Sequence, residues 1–159
     1  MGDDFRDLRD AFGRFGTGVA AITLRDADAR AHGLTINSFV SVSLDPPLVA
    51  WCLDNASELA PLFEGATRFT VNILAAAQQE LAETLAARDG HVLCDTQIAE
   101  NIHEGVPLKG ALAHFECGVH ARIPAGDHLI LLGRIVSFAR QKEDAPPLIY
   151  YGGRFRRLA

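Results

Sequence analysis

The sequence has no apolar run approaching the roughly 20 residues of a membrane-spanning helix; stretches such as Leu48–Leu53 end far short of it. The N-terminus, Met1–Asp10, is polar and charged, so no secretory signal is expected. Cysteine is scarce: Cys52, Cys94 and Cys117 are an odd number, widely spaced and without a CxxC pair. That argues against a disulfide framework or a structural zinc site and predicts a reducing, cytoplasmic setting. Excess positive charge is also missing. Fifteen Lys+Arg against twenty Asp+Glu leave a net charge of −5, which gives no electrostatic reason to seek phosphate backbones or anionic lipid. Neither nucleic acid nor membrane is an expected partner, although Arg154, Arg156 and Arg157 form a local basic end. No GxSxG, no GxxxxGK[ST] and no GxGxxG after a strand occurs, so the usual serine hydrolase, nucleoside triphosphatase and Rossmann signatures are lacking.

What is present fits one folded domain over residues 1–159, with 48% hydrophobic residues and 22% charged. Phe5, Leu8, Phe12 and Phe15 recur at helical spacing, which predicts a short helix covering a core. Gly18–Leu24 and His32–Val40 read as strands around the polar turn Arg25–Arg30, and Asp45-Pro46-Pro47 forces a break before the buried strand Leu48–Leu53. Ser57 is placed at the start of a short helix, and Arg68–Leu74 alternates as a strand. Ala75–Arg88 has helix formers with Leu81 and Leu85 four apart, whereas Asp89–Pro107 shows no period and reads as a long surface excursion of the functional or covering kind. Ala111–Ile123 and His128–Ala139 are long β-type runs joined at Pro124–Asp127. Strands broken by turns, without regular βα alternation, predict a mainly β, antiparallel barrel or sandwich with peripheral helices.

The segment richest in chemistry is Thr35–Ser43. Thr35, Asn37, Ser38, Ser41 and Ser43 crowd it just before a double proline. Asn37 and Ser38 are consecutive, so one straight strand cannot turn every polar group the same way, and a strand leading into a bend is implied. Such a bend offers hydroxyls and amides to a polar heterocycle or a phosphate. Composition alone favours a turn that ties up its own backbone. Asp54–Ser57, after the buried strand, offers amide donors to a phosphate, and His128 enters a strand directly after a turn. On the run from Leu112 to Arg122, His114, Glu116 and His120 share a face opposite Cys117, but the histidines stand about 20 Å apart. One metal ion cannot bridge that, and a solvated or interface-facing row is expected. His91, Cys94 and His103 sit in the irregular segment. No metal ligand set is assigned.

At these residues the sequence resembles the flavin reductase-like family, whose fold is the FMN-binding split barrel, an antiparallel Greek-key barrel. The resemblance runs nearly end to end through Phe12–Val19, His32–Leu48, Arg68–Leu74, Gly110–Cys117, Gly126-Asp127-His128 and Leu148–Phe155. It implies a homodimer of six-stranded barrels that binds FMN or FAD near the subunit interface. NADH or NADPH would donate hydride, and reduced flavin would pass to a separate monooxygenase. Carried over residue by residue, the flavin-contacting block maps onto Thr35, Asn37, Ser38, Ser41, Val42 and Ser43, and the phosphate-side loop onto Asp54 and Ser57. Asn72 and Gln78 map near the flavin. The nicotinamide side maps onto His128, Tyr150, Tyr151 and Gly153, with His128 expected to orient the nicotinamide or exchange a proton. Asp54–Glu58 lacks the Lys or Arg that some relatives carry there, so FMN and FAD both stay open. Other readings are a flavin-binding module that reduces poorly, or a flavoprotein passing electrons to a metal complex. If the resemblance holds, 159 residues is little more than the barrel itself, so a second copy would complete the flavin pocket.

Overall fold

A computed structural model describes residues 4–100 and 104–158. Helix α1 (Asp4–Phe12) leads into β1 (Thr17–Gly18), β2 (Ala20–Arg25), β3 (Ala31–Ile36), β4 (Val40–Leu44) and β5 (Pro47–Asp54). Helix α2 (Ala60–Gly65), β6 (Arg68–Ile73) and α3 (Gln79–Ala86) follow. The chain ends in β7 (Ala113–Ala125), β8 (His128–Arg140), β9 (Leu148–Tyr151) and β10 (Arg154–Arg157). Seven strands form one antiparallel sheet in the order β3-β2-β6-β7-β8-β5-β4, and β1-β9-β10 form another.

The two edges of the larger sheet are consecutive in sequence. From the end of β3 at Ile36 to the start of β4 at Val40 is four residue steps, which span at most about 15 Å. The sheet must therefore curl until its edges nearly meet, as a barrel does, with Asn37, Ser38 and Phe39 at the seam. Because β3 and β4 are one bent segment, seven strands are drawn by six stretches of chain. The fold is thus mainly β and antiparallel, with helices at the periphery.

Alternation along β2 explains the two cores. Ala20, Ile22 and Leu24 face a cluster containing Trp51, Phe63, Phe69, Val71 and Leu131, while Val19 and Ala21 face Leu74, Leu85, Val106 and Leu148. Trp51 meets Phe63 and Phe69 edge-on, with ring centroids 5.0 and 5.8 Å apart. Gly133 lets β8 approach Phe69, because a Cβ there would stand 2.5 Å from the Phe69 ring and 2.9 Å from the Cys117 Cβ. The hairpin between β9 and β10 turns on Gly152 and Gly153 at φ 61° and 73°, conformations that L side chains rarely adopt.

Two expectations need correction, and a third takes a definite form. The apolar face of α1 does not cover a core of this chain: Phe5, Leu8, Phe12 and Phe15 are 47–79% exposed. Helical spacing identifies a sticky face without saying what covers it. The irregular segment is of the covering kind. Its Val106–Leu108 stretch lies on buried polar side chains of the sheet: Thr23 Oγ1 donates to the Val106 carbonyl, and the Val106 and Leu108 amides donate to Thr70 Oγ1 and Asn72 Oδ1. Finally, Glu116 is not on a solvated row but buried, as is neighbouring Cys117. Against β6 the alternation of β7 is kept: Cys117 lies opposite Phe69 in the core, while Glu116 lies opposite Thr70 on the other face, where the backbone at Gly105 covers it.

Candidate functional site

The seam carries a cavity. It measures about 220 Å³ and is lined by Thr35, Asn37, Ser38, Cys52, Asp54, Ser57 and His128, with Leu34 and Ile36. The antiparallel register sets Asp54 directly opposite His128, so the end of β5 and the start of β8 meet at one wall. Ser38 fastens the bend to β5: its Oγ accepts from the Cys52 amide at 2.9 Å and donates to the Cys52 carbonyl at 3.4 Å. Thr35 Oγ1 donates to the Ala82 carbonyl of α3 at 2.6 Å. Asn37 is exposed, and its side chain makes no hydrogen bond among the described residues. Its amide is therefore available to a ligand.

His128 is half-buried, and its Nδ1 stands 2.7 Å from Asp127 Oδ1. An ionised partner there favours the tautomer with the proton on Nδ1, leaving Nε2 as the acceptor. The hydrogen bond to His128 holds the Asp127 carboxyl below the usual carboxylate range, with its charge and that of Arg9 adding to the effect. The turn after β5 differs from expectation. The amides of Asn55, Ala56, Ser57, Leu59 and Ala60 donate to Asp127 O, Asp54 Oδ1, Asp54 O, Ser57 Oγ and Ser57 O respectively. These donors are engaged and do not form an open phosphate cradle. Helix α2 begins at Ala60, after Leu59 rather than Ser57, with Pro61 in its first turn.

The structure gathers Thr35, Asn37, Ser38, Asp54, Ser57 and His128, and brings Tyr150 and Gly153 to two adjoining cavities that share Asn37. Tyr151 borders the larger of these. Ser41, Val42 and Ser43 lie apart on the edge strand β4, with Val42 at a bulge. Asn72 and Gln78 are not brought to the cavity of this chain. Asn72 is fully buried, donating to the Ala21 carbonyl and Thr23 Oγ1 and accepting from the Leu108 amide. Gln78 accepts from the Ala75 amide and donates to the Lys109 carbonyl. His91 bonds the Gly33 carbonyl, Cys94 is exposed, and His103 lies outside the described residues.

The sequence reading missed Cys52 as a lining residue, although its position two residues before Asp54 on one strand puts both on one face. It also missed Arg9 and Arg14, which join Arg156 around the larger cavity.

Residues 12–159 match the flavin reductase like domain. The chain belongs to the flavin reductase-like family. It is 40% identical over 159 residues to an FMN reductase (NADH) of Agrobacterium fabrum, covering 99% of this chain and 88% of that one. It is 37% identical to the reductase component of a 4-hydroxyphenylacetate 3-monooxygenase of Thermus thermophilus, covering 95% of each. Among solved flavin reductases, the NADH:FAD oxidoreductase of Streptomyces globisporus in complex with NAD and FAD fragments superposes with a TM-score of 0.86. The two share 34% identity over 100% of this chain and 95% of that one.

Proposed function

We propose that this protein is an NADH:flavin oxidoreductase that reduces FMN or FAD by hydride transfer and hands the reduced flavin to a separate monooxygenase. The observation that carries this reading is the seam cavity, where an unengaged amide (Asn37), hydroxyls and a half-buried imidazole converge from four separate segments. That donor set fits the polar edge of a flavin and includes no nucleophile and base pair of the hydrolytic kind. The resemblance of relatives that are NADH-dependent FMN or FAD reductases and monooxygenase components supports it.

When bound, the flavin supplies the redox chemistry, accepting hydride from the reduced nicotinamide. The chain supplies geometry and charge stabilisation. Asn37 donates to the edge where negative charge accumulates on reduction. Ser38 holds the bend against β5, so that this donor needs no rearrangement when charge develops. His128, oriented by Asp127, would hold the carboxamide of the nicotinamide with Nε2 as acceptor, and Tyr150 borders the adjoining cavities.

A homodimer completes the reading. The apolar face of α1 and the edge strand β4, with Val40, Val42 and Leu44, meet water. A second copy covers these faces and brings Ser41, Val42 and Ser43 into a shared pocket. An exposed free Cys94 suits a reducing cytoplasm.

The test mixes purified protein with NADH or NADPH, with and without FMN, FAD or riboflavin, and follows oxidation of the pyridine nucleotide. The expected result is flavin-dependent oxidation with NADH exceeding that with NADPH. No flavin-dependent oxidation with either nucleotide rejects the reading, and oxidation only with a metal complex replaces it with the metal-acceptor alternative.

A further inference from the structure

Two walls of the seam cavity are tied to each other through residues that do not line it. One wall is Leu34–Asn37 at the end of β3, and the other is the Asp54–Ser57 turn after β5. The segment following α3 reaches both. Residues 91–93 lie along the outer edge of β3: the Gly33 amide donates to the His91 carbonyl at 2.8 Å, the Leu93 amide donates to the Ala31 carbonyl at 2.9 Å, and Val92 pairs with His32. Gly90 lets this segment start close against α3, because any Cβ there would run into the Thr84 carbonyl.

Glu58 supplies the other half of the tie. It directly follows Ser57 of the cavity wall, and its Oε2 accepts from the Asp89 amide at 3.1 Å and stands 3.5 Å from His91 Nε2. Arg88 Nε lies 4.0 Å from Oε1 of the same carboxylate. His91 is buried, and its Nδ1 faces the Gly33 carbonyl at 3.1 Å. A ring whose two nitrogens both face acceptors satisfies them together only by donating from both. The neighbouring imidazole, His32, is engaged elsewhere, 2.8 Å from Asp26 Oδ2. Gly33, His91 and Glu58 thus form a chain of polar contacts from the β3 wall to the turn wall.

We propose that Glu58 and His91 are positioning residues of the flavin site, a strut that holds the Asp54–Ser57 turn in place against β3. The assignment rests on the flavin reductase reading for the ligand whose fit the strut sets. Ser38 fastens the bend to β5 at the cavity itself, whereas the strut acts from outside it. With the strut released, the turn gains freedom that binding must remove again, and flavin binds more weakly although no group that touches it has changed.

The experiment uses the full chain as wild type, as Glu58→Gln, as His91→Gln, as the double variant, and as Glu64→Gln. Glutamine at 91 still offers a donor to the Gly33 carbonyl but no charge to Glu58. Glu64, an exposed acid on α2, is the control that removes the same charge. With saturating NADH, the KM for FMN is expected to rise about 3- to 5-fold in each strut variant, the scale of a partly exposed ion pair, while kcat stays within about 2-fold. The sign separates a strut from a field, since deleting a carboxylate near the site by itself favours the FMN phosphate. A lowered KM in Glu58→Gln therefore overturns the proposal. The double variant should lose no more than the worse single one, because the two residues make one link. A loss equal to the product of the single losses overturns the strut, as do unchanged KM values or an equal rise in Glu64→Gln. Cys52, which lines the cavity, reads the strut without flavin: its alkylation in native protein should quicken by a similar factor in the strut variants, and unchanged labelling overturns the proposal. Wild-type protein that never oxidises NADH with any flavin overturns the flavin reductase reading, while quicker Cys52 labelling in the same variants leaves the strut standing.

Discussion

Two polar clusters lie on this barrel, and they differ in what their polar atoms do. Thr23, Thr70 and Asn72 are at most 1% exposed, and their side chains are engaged with one another and with the backbone at Ala21, Val106 and Leu108. Asn37, Ser38, Asp54, Ser57 and His128 open onto a cavity, and the Asn37 amide has no partner among the described residues. Both combine an asparagine with hydroxyl side chains, and the cavity adds Asp54 and His128. Hydrogen-bond satisfaction separates a structural cluster from a binding one: buried polar groups must be paired to be tolerated, whereas a site keeps donors in reserve for its ligand.

Breaking each cluster should therefore have opposite consequences. Asn72→Leu orphans the Leu108 amide and takes a donor from Thr23 Oγ1, and a buried unsatisfied group costs about 1–3 kcal/mol. Urea denaturation should show a loss of about 3 kcal/mol, with the KM for flavin within about 2-fold wherever the variant is folded. Asn37→Ala should do the reverse, leaving stability within about 0.5 kcal/mol and lowering kcat/KM for flavin about 10-fold, the equivalent of one transition-state hydrogen bond. His128→Ala should cut NADH turnover by a comparable factor, and unchanged steady-state hydride transfer in that variant would remove its assigned role. Gln78→Ala sharpens the contrast at smaller scale. Its two hydrogen bonds tie the start of α3 to Lys109, so a stability loss of about 1 kcal/mol without a change in KM is expected.

The hairpins were legible because prolines, glycines and period-two alternation set them: the β4–β5 turn falls at Asp45–Pro46 and the β7–β8 turn at Gly126–Asp127. Half of the site was legible for the same reason, since Asn37 and Ser38 could not share one face of a strand and had to mark a bend. Asn72 was not, because its strand position is compatible with either face being a ligand face until the Val106–Leu108 stretch is seen to occupy it. The burial of Glu116 depends on the Gly105–Leu108 stretch lying over its face of the sheet, which no residue pattern announces. The larger cavity joins residues some 140 positions apart, and the pairing of β1 with β9 and the Gly152–Gly13 hydrogen bond bring Arg9 and Arg14 near Arg156.

The three thiols report on the same division without any substitution. Cys94 is exposed, Cys52 borders the seam cavity, and Cys117 is buried, its thiol pushed up to about 12 by burial and by the Glu116 charge. Thiolate is the reactive form, so Cys117 should resist alkylation until the protein unfolds. The most direct measurement is the rate of Cys52 alkylation in native protein, resolved by mass spectrometry, with and without saturating FMN. If flavin sits at the seam, FMN slows labelling of Cys52 at least about 10-fold, a factor equivalent to about 1.4 kcal/mol, while Cys94 reacts at an unchanged rate. Equal labelling of Cys52 in both conditions, with FMN shown to be bound, would place the flavin elsewhere and contradict the assignment.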